Sequence, residues 1–208
     1  MIGGHTRLVG VIGWPVAHSR SPAMHNAALR ALGLDWCYVP LPVAPENLEA
    51  ALRGLVVLGF VGANVTIPHK ERAAELVDER TPAAAAIGAV NTITIMEGRL
   101  LGDNTDAPGL LMVLAEAGVE VGGRRAVVLG AGGSARAAAY ALVQAGAQVS
   151  VVNRTPARAH ELTAALTPSL GPGRVEALPL AGAEAALQAR LDEAALLVNT
   201  TSAGMEPG

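Results

Sequence analysis

The sequence predicts an α/β fold made of two domains, because short β-branched runs alternate with longer helical patterns along the whole chain. Such alternation is typical of a parallel sheet that helices cover on both faces. Two strand–helix systems are separated by a break near residues 102–105. We therefore expect an N-terminal α/β substrate domain over residues 1–102 and a second domain over residues 103–208, with a ligand in the cleft between them.

The first half is predicted to hold three strands, three helices and a hairpin. Ser21-Pro22 is typical of a helix start, with the hydroxyl at the N-cap and proline at N1, and Gly33 is typical of its end. The predicted strands cover residues 7–12, 36–41 and 60–65, the helices cover residues 23–31, 45–57 and 71–77, and the hairpin covers residues 89–95 with Gly98 behind them.

The second half repeats the pattern with shorter and more apolar strands. A helix is expected over residues 105–117, ending at Gly118. Buried-type strands follow over residues 126–129, 149–152 and 196–199, with helices between them.

Composition excludes several classes of protein. The chain has 208 residues, of which 51% are hydrophobic and 16% charged, so it is globular rather than disordered. A formal net charge of -3 without a basic run argues against nucleic-acid binding, and no apolar run is long enough to span a membrane. The only cysteine, Cys37, excludes an intrachain disulfide. Because no leader is visible either, we expect a cytoplasmic protein.

The segment after the strand at residues 126–129 is a glycine-rich turn that leads into a helix. In it Gly130 makes the tight turn, Gly132 lets backbone N–H groups approach a pyrophosphate, and Ala135 allows close packing of helix on strand. The strand before it and the helix after it are the context that this motif requires. The candidate dinucleotide-binding residues are Gly130, Ala131, Gly132, Gly133, Ser134 and Ala135.

The end of the next strand indicates which dinucleotide binds. A site for NAD usually has an acid there, which binds the ribose 2′-hydroxyl. This chain has Asn153, Arg154 and Thr155, with Arg158 shortly after, and no acid. Arginine can face a 2′-phosphate, and Asn and Thr can add hydrogen bonds, so the sequence favours NADP. The alternative is a surface loop with solvated arginines.

Lys70 is the only lysine among fifteen cationic side chains. A chain so biased toward arginine is expected to replace any lysine that serves only as a charge. An ammonium can give up its proton when its surroundings lower its pKa, which a guanidinium does not do. Lys70 is therefore a candidate acid/base, although survival of a single lysine by chance is the alternative.

Polar residues follow the predicted strands of the first half and its junction with the second. They lie in residues 18–21, at Asn64 and Thr66, at residues 91–92 and in residues 103–106. Strand ends of a parallel sheet meet at one edge, where hydroxyls, amides, an amine and a carboxylate suit a small polyhydroxy carboxylate. Taken singly, each has a structural explanation: Ser21 as an N-cap, Asp103 and Asn104 as turn formers, Asp106 as a first-turn helix charge.

These motifs resemble the shikimate dehydrogenase family. Its signatures are similar, in the same order, to residues 13–26, 62–70, 88–92, 103–106, 130–134, 153–155 and 199–205. The resemblance implies a Rossmann-type NADP-binding domain and reversible, NADPH-dependent reduction of 3-dehydroshikimate to shikimate. It implies that small molecules are the partners, in a monomer or homodimer. No metal is expected, since the histidines and the cysteine lack ligand spacing.

The resemblance also implies a role for each site residue. Ser19 and Ser21 would bind the substrate carboxylate, and Lys70 would transfer the proton with Asp106 beside it. The residues that would hold the substrate hydroxyls are Asn64, Thr66, Asn91 and Asp106. Those near the nicotinamide would be Thr200, Thr201, Ser202 and Met205.

The resemblance leaves alternatives open and has one departure. The family continues beyond the point that corresponds to Gly208, so we expect either a truncated chain or a divergent short form, with an incomplete nucleotide domain and cleft. A quinate or quinate/shikimate dehydrogenase has the same chemistry on a substrate with one more hydroxyl. A non-catalytic NADP-binding sensor would need neither Lys70 nor Asp106, and a folate-type dehydrogenase would not need the cluster at residues 18–21.

Overall fold

A computed structural model describes residues 2–204, and in it the chain divides into two compact α/β units. Of the described residues, the first unit holds Ile2–Ala85 together with Ala89–Asn104. The second holds Ala86–Gly88 and Thr105–Gly204. The predicted α/β fold class is confirmed. Among the described residues no helix is both long and apolar enough to cross a membrane.

The first unit is built on a six-stranded sheet in the order β2-β1-β3-β5-β6-β4. Its strands are β1 (Arg7–Gly13), β2 (Trp36–Pro42), β3 (Gly62–Val65), β4 (Glu79–Arg80), β5 (Thr92–Met96) and β6 (Arg99–Asp103). The sheet is mixed rather than parallel throughout, because β5 runs antiparallel to both β3 and β6. The predicted hairpin accounts for this: Glu97 and Gly98, with φ of 51° and 75°, make the two-residue turn between β5 and β6.

Four helices and a 3₁₀ turn at Pro45–Asn47 belong to this part of the chain. They are α1 (Ser21–Ala31), α2 (Leu48–Val57), α3 (Lys70–Leu76) and α4 (Pro82–Ile87), of which α4 runs across the boundary between the units. On α2, the buried residues Leu48, Leu52 and Leu55 recur at helical spacing and pack in one core with Ile12 and Val65 of the sheet. This core fixes the strands whose ends carry the candidate site.

The start of α1 differs from the prediction. Ser21 is the first residue of the helix, and Arg20 is the N-cap, with no side-chain capping bond. The Ser21 amide donates instead to Ser19 Oγ at 3.3 Å. The Ser21 hydroxyl is therefore not used as a helix cap.

The second unit holds four parallel strands in the order β10-β7-β8-β9. Its elements are α5 (Asp106–Glu116), β7 (Arg125–Leu129), α6 (Gly133–Gln144), β8 (Gln148–Asn153), α7 (Pro156–Leu170), β9 (Val175–Pro179), α8 (Glu184–Glu193) and β10 (Ala194–Asn199). Seven residues of α6 are buried, five of them alanines, so this helix packs closely on β7.

One strand of this unit differs from its predicted environment. We expected β10 to be a buried strand, but it lies at the sheet edge with alternate residues exposed, and Leu197 keeps 52% of its surface accessible. Its apolar sequence is the same as that of a buried strand, so the pattern alone did not separate the two cases. Neither β4 nor β9 was predicted, because the first has two residues and the second lacks a regular alternation.

Candidate active site

The topology of the first sheet brings its polar motifs to one edge. Strands β1, β3 and β6 run in the same direction, so their carboxyl ends lie at that edge, and antiparallel β5 begins there. Ser19 and Ser21 follow β1, Thr66 and Lys70 follow β3, and Asn91 precedes β5. Segments far apart in sequence thus converge.

The loops after β1 and β3 are tied together by their backbones. Trp14 donates its amide to Ile67 O at 3.0 Å, and Thr66 donates to Ile12 O at 2.8 Å. A Cβ on Gly13 would lie 2.5 Å from Thr66 Cγ2, so a side chain at this position would push the loops apart. The two loops therefore hold a fixed spacing between the serines and the Thr66–Lys70 segment.

Asn64 is the centre of a hydrogen-bonded cluster at this edge. Its Oδ1 accepts from the Tyr38 hydroxyl at 2.7 Å. Its Nδ2 is shared between Asn91 O and Thr92 Oγ1, both at 3.4 Å, and the Thr92 hydroxyl donates to Asn91 Oδ1 at 3.0 Å. The cluster thus connects Tyr38 of β2 to Asn64 of β3 and to Asn91 and Thr92 at the start of β5.

Tyr38 was not a predicted site residue. It is 4% exposed, and burial raises the pKa of its phenol to about 12, although the Ser21 hydrogen bond opposes this rise. The His25 ring stacks on it with centroids 4.3 Å apart, and the Asn26 side chain pairs with both its backbone N–H and its C=O. Tyr38 therefore stays protonated and fixed in place.

Lys70 is half-buried and opens α3. Its carbonyl accepts the Val90 amide at 2.8 Å, and Val65 donates to Asn91 O at the same distance. His69, only 2% exposed, contacts Val43 O through Nε2 at 2.8 Å. Bonds on both sides therefore fix the backbone that carries Lys70 next to that of Asn91.

The segment at residues 103–106 is divided between the two units. Asp103 Oδ1 accepts from Thr81 Oγ1 at 2.6 Å and from the Asn104 amide at 2.8 Å, as expected of a turn former. Asn104, 2% exposed, donates to Ala89 O at 2.9 Å and so supports the loop before Asn91. Asp106 is the first residue of α5 in the second unit, half-buried, whereas Lys70 belongs to the first.

The second unit has a pocket of about 570 Å³ at the carboxyl ends of β7, β8 and β10. Gly130 adopts φ of +109°, and a Cβ there would lie 2.5 Å from Thr200 Oγ1. Thr200 is held by two bonds to Leu129 O, from its amide at 2.9 Å and its hydroxyl at 2.6 Å. Only glycine fits here, because the loop after β7 comes so close to Thr200, which follows β10.

Eight of the predicted cofactor residues line this pocket. They are Gly130, Ala131, Gly132, Asn153, Arg154, Thr200, Thr201 and Ser202. Five others lie just outside it at the starts of α6 and α7: Gly133, Ser134, Ala135, Thr155 and Arg158. Met205 falls outside the described residues. Apolar lining by Leu129, Val152, Leu180 and Ala203 was not predicted.

The charge of the pocket suits a phosphorylated ligand. Arg154 is exposed at its rim, and the lining residues include no acid. The helix α6 begins at Gly133, so its first N–H groups face the same end of the sheet. These residues fit a dinucleotide with a 2′-phosphate better than one with a free 2′-hydroxyl, because a free 2′-hydroxyl is usually bound by an acidic side chain.

A sheet unit with a hydrogen-bonded polar cluster, joined to a Rossmann-type unit with a phosphate-binding loop, defines a two-domain α/β protein of the nucleotide-binding class. Two family descriptions match its halves: "Shikimate dehydrogenase substrate binding domain" over residues 11–93 and "Shikimate / quinate 5-dehydrogenase" over residues 113–204. The chain belongs to the shikimate dehydrogenase family, and the resemblance of the motifs is confirmed.

Individual relatives support this membership along the whole chain. The shikimate dehydrogenase (NADP(+)) of Rubrobacter xylanophilus is 55% identical over 210 residues, which cover 100% of this chain and 72% of the relative. A crystal structure of a shikimate dehydrogenase in complex with NADP+ superposes with a TM-score of 0.88 at 39% identity, covering 100% of this chain and 71% of that one. The Thermus thermophilus enzyme in complex with NADP(H) and shikimate gives 0.78 at 44% identity, covering 94% and 69%.

Proposed function

We propose that this chain catalyses the reversible, NADPH-dependent reduction of 3-dehydroshikimate to shikimate. The observation that carries the proposal is the pocket at Gly130, closed by Thr200 and edged by Arg154 without an acid. The substrate follows from the relatives, whose names give shikimate and NADP(+), and from the polar cluster around Asn64.

The substrate would lie at the edge where the first sheet ends. The hydroxyls of Ser19 and Ser21 would bind its carboxylate. Its ring hydroxyls would be held by the amides and hydroxyls of Asn64, Thr66 and Asn91 and by the Asp106 carboxylate. Charge-assisted hydrogen bonds from fixed donors suit such a ligand, because they are formed without reorganising the site.

Lys70 would carry the proton. When bound, NADPH would supply a hydride to the ketone carbon. The carbonyl oxygen then becomes an alkoxide, and the Lys70 ammonium, hydrogen-bonded to it, donates the proton that completes the hydroxyl. In the reverse direction the neutral amine would accept that proton, and the family resemblance implies that Asp106 would orient both the amine and a neighbouring substrate hydroxyl. General acid/base help of this kind is worth about 10²–10⁴-fold in rate.

The nucleotide would occupy the pocket of the second unit. The loop at Gly130–Gly132 would hold the pyrophosphate, and Arg154 with Asn153 and Thr155 would face the 2′-phosphate. Thr200, Thr201 and Ser202 would lie near the nicotinamide, as the family resemblance implies.

The proposal also covers the cell compartment of the protein and the number of chains that associate. We place the chain in the cytoplasm as a monomer or homodimer. Its single cysteine supports a reducing compartment.

The test is steady-state kinetics with four substrate pairs. Shikimate and quinate are each oxidised with NADP and with NAD, and reduced nucleotide is followed by absorbance. The proposed function predicts the highest kcat/KM for shikimate with NADP. A higher value for quinate would replace it with quinate dehydrogenase activity. NADP binding without turnover of either substrate would support the sensor.

A further inference from the structure

Thr92 is the first residue of β5 and lies between two candidate substrate residues. The register places it opposite Asn64 of β3, and Asn91 precedes it in the chain. Its Oγ1 is 3.4 Å from Asn64 Nδ2 and 3.0 Å from Asn91 Oδ1. Thr92 belongs to the polar pair at residues 91–92, but the proposed function gives it no role.

The hydrogen bonds around Thr92 run in one direction. The buried Tyr38 phenol stays protonated, so its proton is given to Asn64 Oδ1. The Nδ2 end of the Asn64 amide is therefore turned toward Thr92 and Asn91 O. Since Thr92 Oγ1 accepts from Asn64, its own proton is available for Asn91 Oδ1.

This direction decides which end of the Asn91 amide meets a ligand. Rotating an asparagine amide by 180° exchanges a donor for an acceptor with almost no change in shape. A bond from Thr92 to Oδ1 holds the oxygen toward β5 and turns Nδ2 away from it. A substrate hydroxyl at Asn91 would then be bound by a donor rather than by an acceptor.

We propose that Thr92 is a positioning residue for the binding of the substrate hydroxyls. Its hydroxyl fixes the orientation of the Asn91 amide and, through Asn64, extends the chain of hydrogen bonds that starts at Tyr38. The inference rests on the proposed function, because Asn91 and Asn64 are substrate residues only there. Without the Thr92 hydroxyl, Asn91 Oδ1 loses a donor that holds the amide in this orientation, and Asn64 Nδ2 loses an acceptor. Affinity for shikimate falls, while the proton-transfer group is untouched.

Two substitutions separate the hydroxyl from the methyl group of Thr92. Thr92→Val keeps the β-branched shape that suits a strand and removes the hydroxyl, whereas Thr92→Ser keeps the hydroxyl and removes the methyl. Thr94→Val is the matched control: Thr94 lies two residues further along β5, on the same face, and is exposed. If packing were the role of Thr92, the serine variant would be impaired and the valine variant normal.

The experiment measures kcat and the KM for shikimate and for NADP in the wild type and these three variants. Loss of one hydrogen bond predicts a rise of about five- to tenfold in the shikimate KM for Thr92→Val. Its kcat should change less than about threefold, and its NADP KM should be unchanged. Thr92→Ser and Thr94→Val should resemble the wild type. A normal shikimate KM in Thr92→Val, or the same rise in Thr92→Ser, overturns the inference.

A double-mutant cycle tests the route through Asn91. In an Asn91→Ala background there is no amide to orient, so Thr92→Val should add little to the shikimate KM. Full additivity contradicts the positioning role. Calorimetric titration of the wild type with shikimate separates this inference from the proposed function. A wild type that neither binds nor oxidises shikimate refutes both, whereas an active wild type with a normal Thr92→Val refutes the Thr92 role alone.

Discussion

Lys70 is the residue that we propose for proton transfer, and its replacement by arginine tests why a lysine stands there. Lys70→Arg keeps the charge but removes a group that can release and take up a proton, since guanidinium stays protonated in proteins. We expect turnover to fall about 10²–10⁴-fold, nearly as far as in Lys70→Ala, with little change in the shikimate KM. The measurement is kcat for both variants. If Lys70→Arg kept most of the wild-type turnover, the acid/base role of Lys70 would be refuted.

A substitution of Arg154 tests which nucleotide the second unit prefers. Its guanidinium is at the pocket rim, where a 2′-phosphate would lie. Arg154→Ala should raise the KM for NADP about ten- to a hundredfold, because a charge-assisted bond to phosphate is lost, and should leave the KM for NAD unchanged. The control is Arg124→Ala, an exposed arginine of the second unit that does not line the pocket. Equal losses for NADP and NAD in Arg154→Ala would contradict the assignment.

At the scale of elements, Asp78 links three parts of the first unit. Its Oδ2 accepts the Leu100 amide of β6 at 2.7 Å, and its Oδ1 pairs with Arg53 of α2 at 2.8 Å. Arg53 also donates to Leu76 O at the end of α3. The Leu100 amide, and secondly Arg53, lower the pKa of this carboxyl from its ordinary value.

The lowered pKa gives Asp78 a defined pH dependence. The pKa of this carboxyl is lower in the folded state than in the unfolded state, where it is about 3.9. Ionised Asp78 therefore stabilises the fold above about pH 3.9, and this contribution is lost as the pH falls through the folded-state pKa. Asp78→Asn should therefore lower Tm by about 2–4 °C at pH 7. The difference from the wild type should shrink below about pH 4.

Thermal unfolding across this pH range is the measurement, with Glu116→Gln, a change of an exposed carboxylate on α5, as control. A Tm difference for Asp78→Asn that is constant from neutral to acid pH would show that the charge of Asp78 contributes nothing.

The elements also show what the sequence could and could not predict. Strand–helix alternation and the Gly130 loop depend on local patterns, and the structure has the strand, turn and helix that they predict. The exposure of β10 depends on which elements cover it, which a run of apolar residues does not encode. The mixed direction of the first sheet follows from the Glu97-Gly98 turn.

The candidate site shows the same division. Residues in motifs, such as Ser19, Asn64 and Lys70, could be named from the sequence, and their roles stay predictions. Tyr38 could not be named, because it bonds to Asn64 across 26 positions of sequence from a strand with no polar motif. A contact of that kind is created by the β2-β1-β3 strand order, and only the structure shows it.

For the whole molecule, two units with separate cores divide the work between substrate and nucleotide. The first core lies between the six-stranded sheet and α2, and the second is formed largely by α6 and the strands beside it. The chain spans about 70% of the length of the relatives that it matches, here 72% and 71% for two of them. Measuring the activity of this chain therefore tests whether these two units are enough for catalysis.

The most direct test of the account is the rate at which purified wild-type chain reduces NADP when shikimate is added, measured beside Lys70→Ala purified in the same way. With the proposed function, reduction depends on both shikimate and NADP and falls about 10²–10⁴-fold in the variant. The variant also reveals any contaminating host enzyme, whose activity would be equal in both samples. Equal rates in the two samples, or no reduction by a wild type that binds both ligands, would contradict the account.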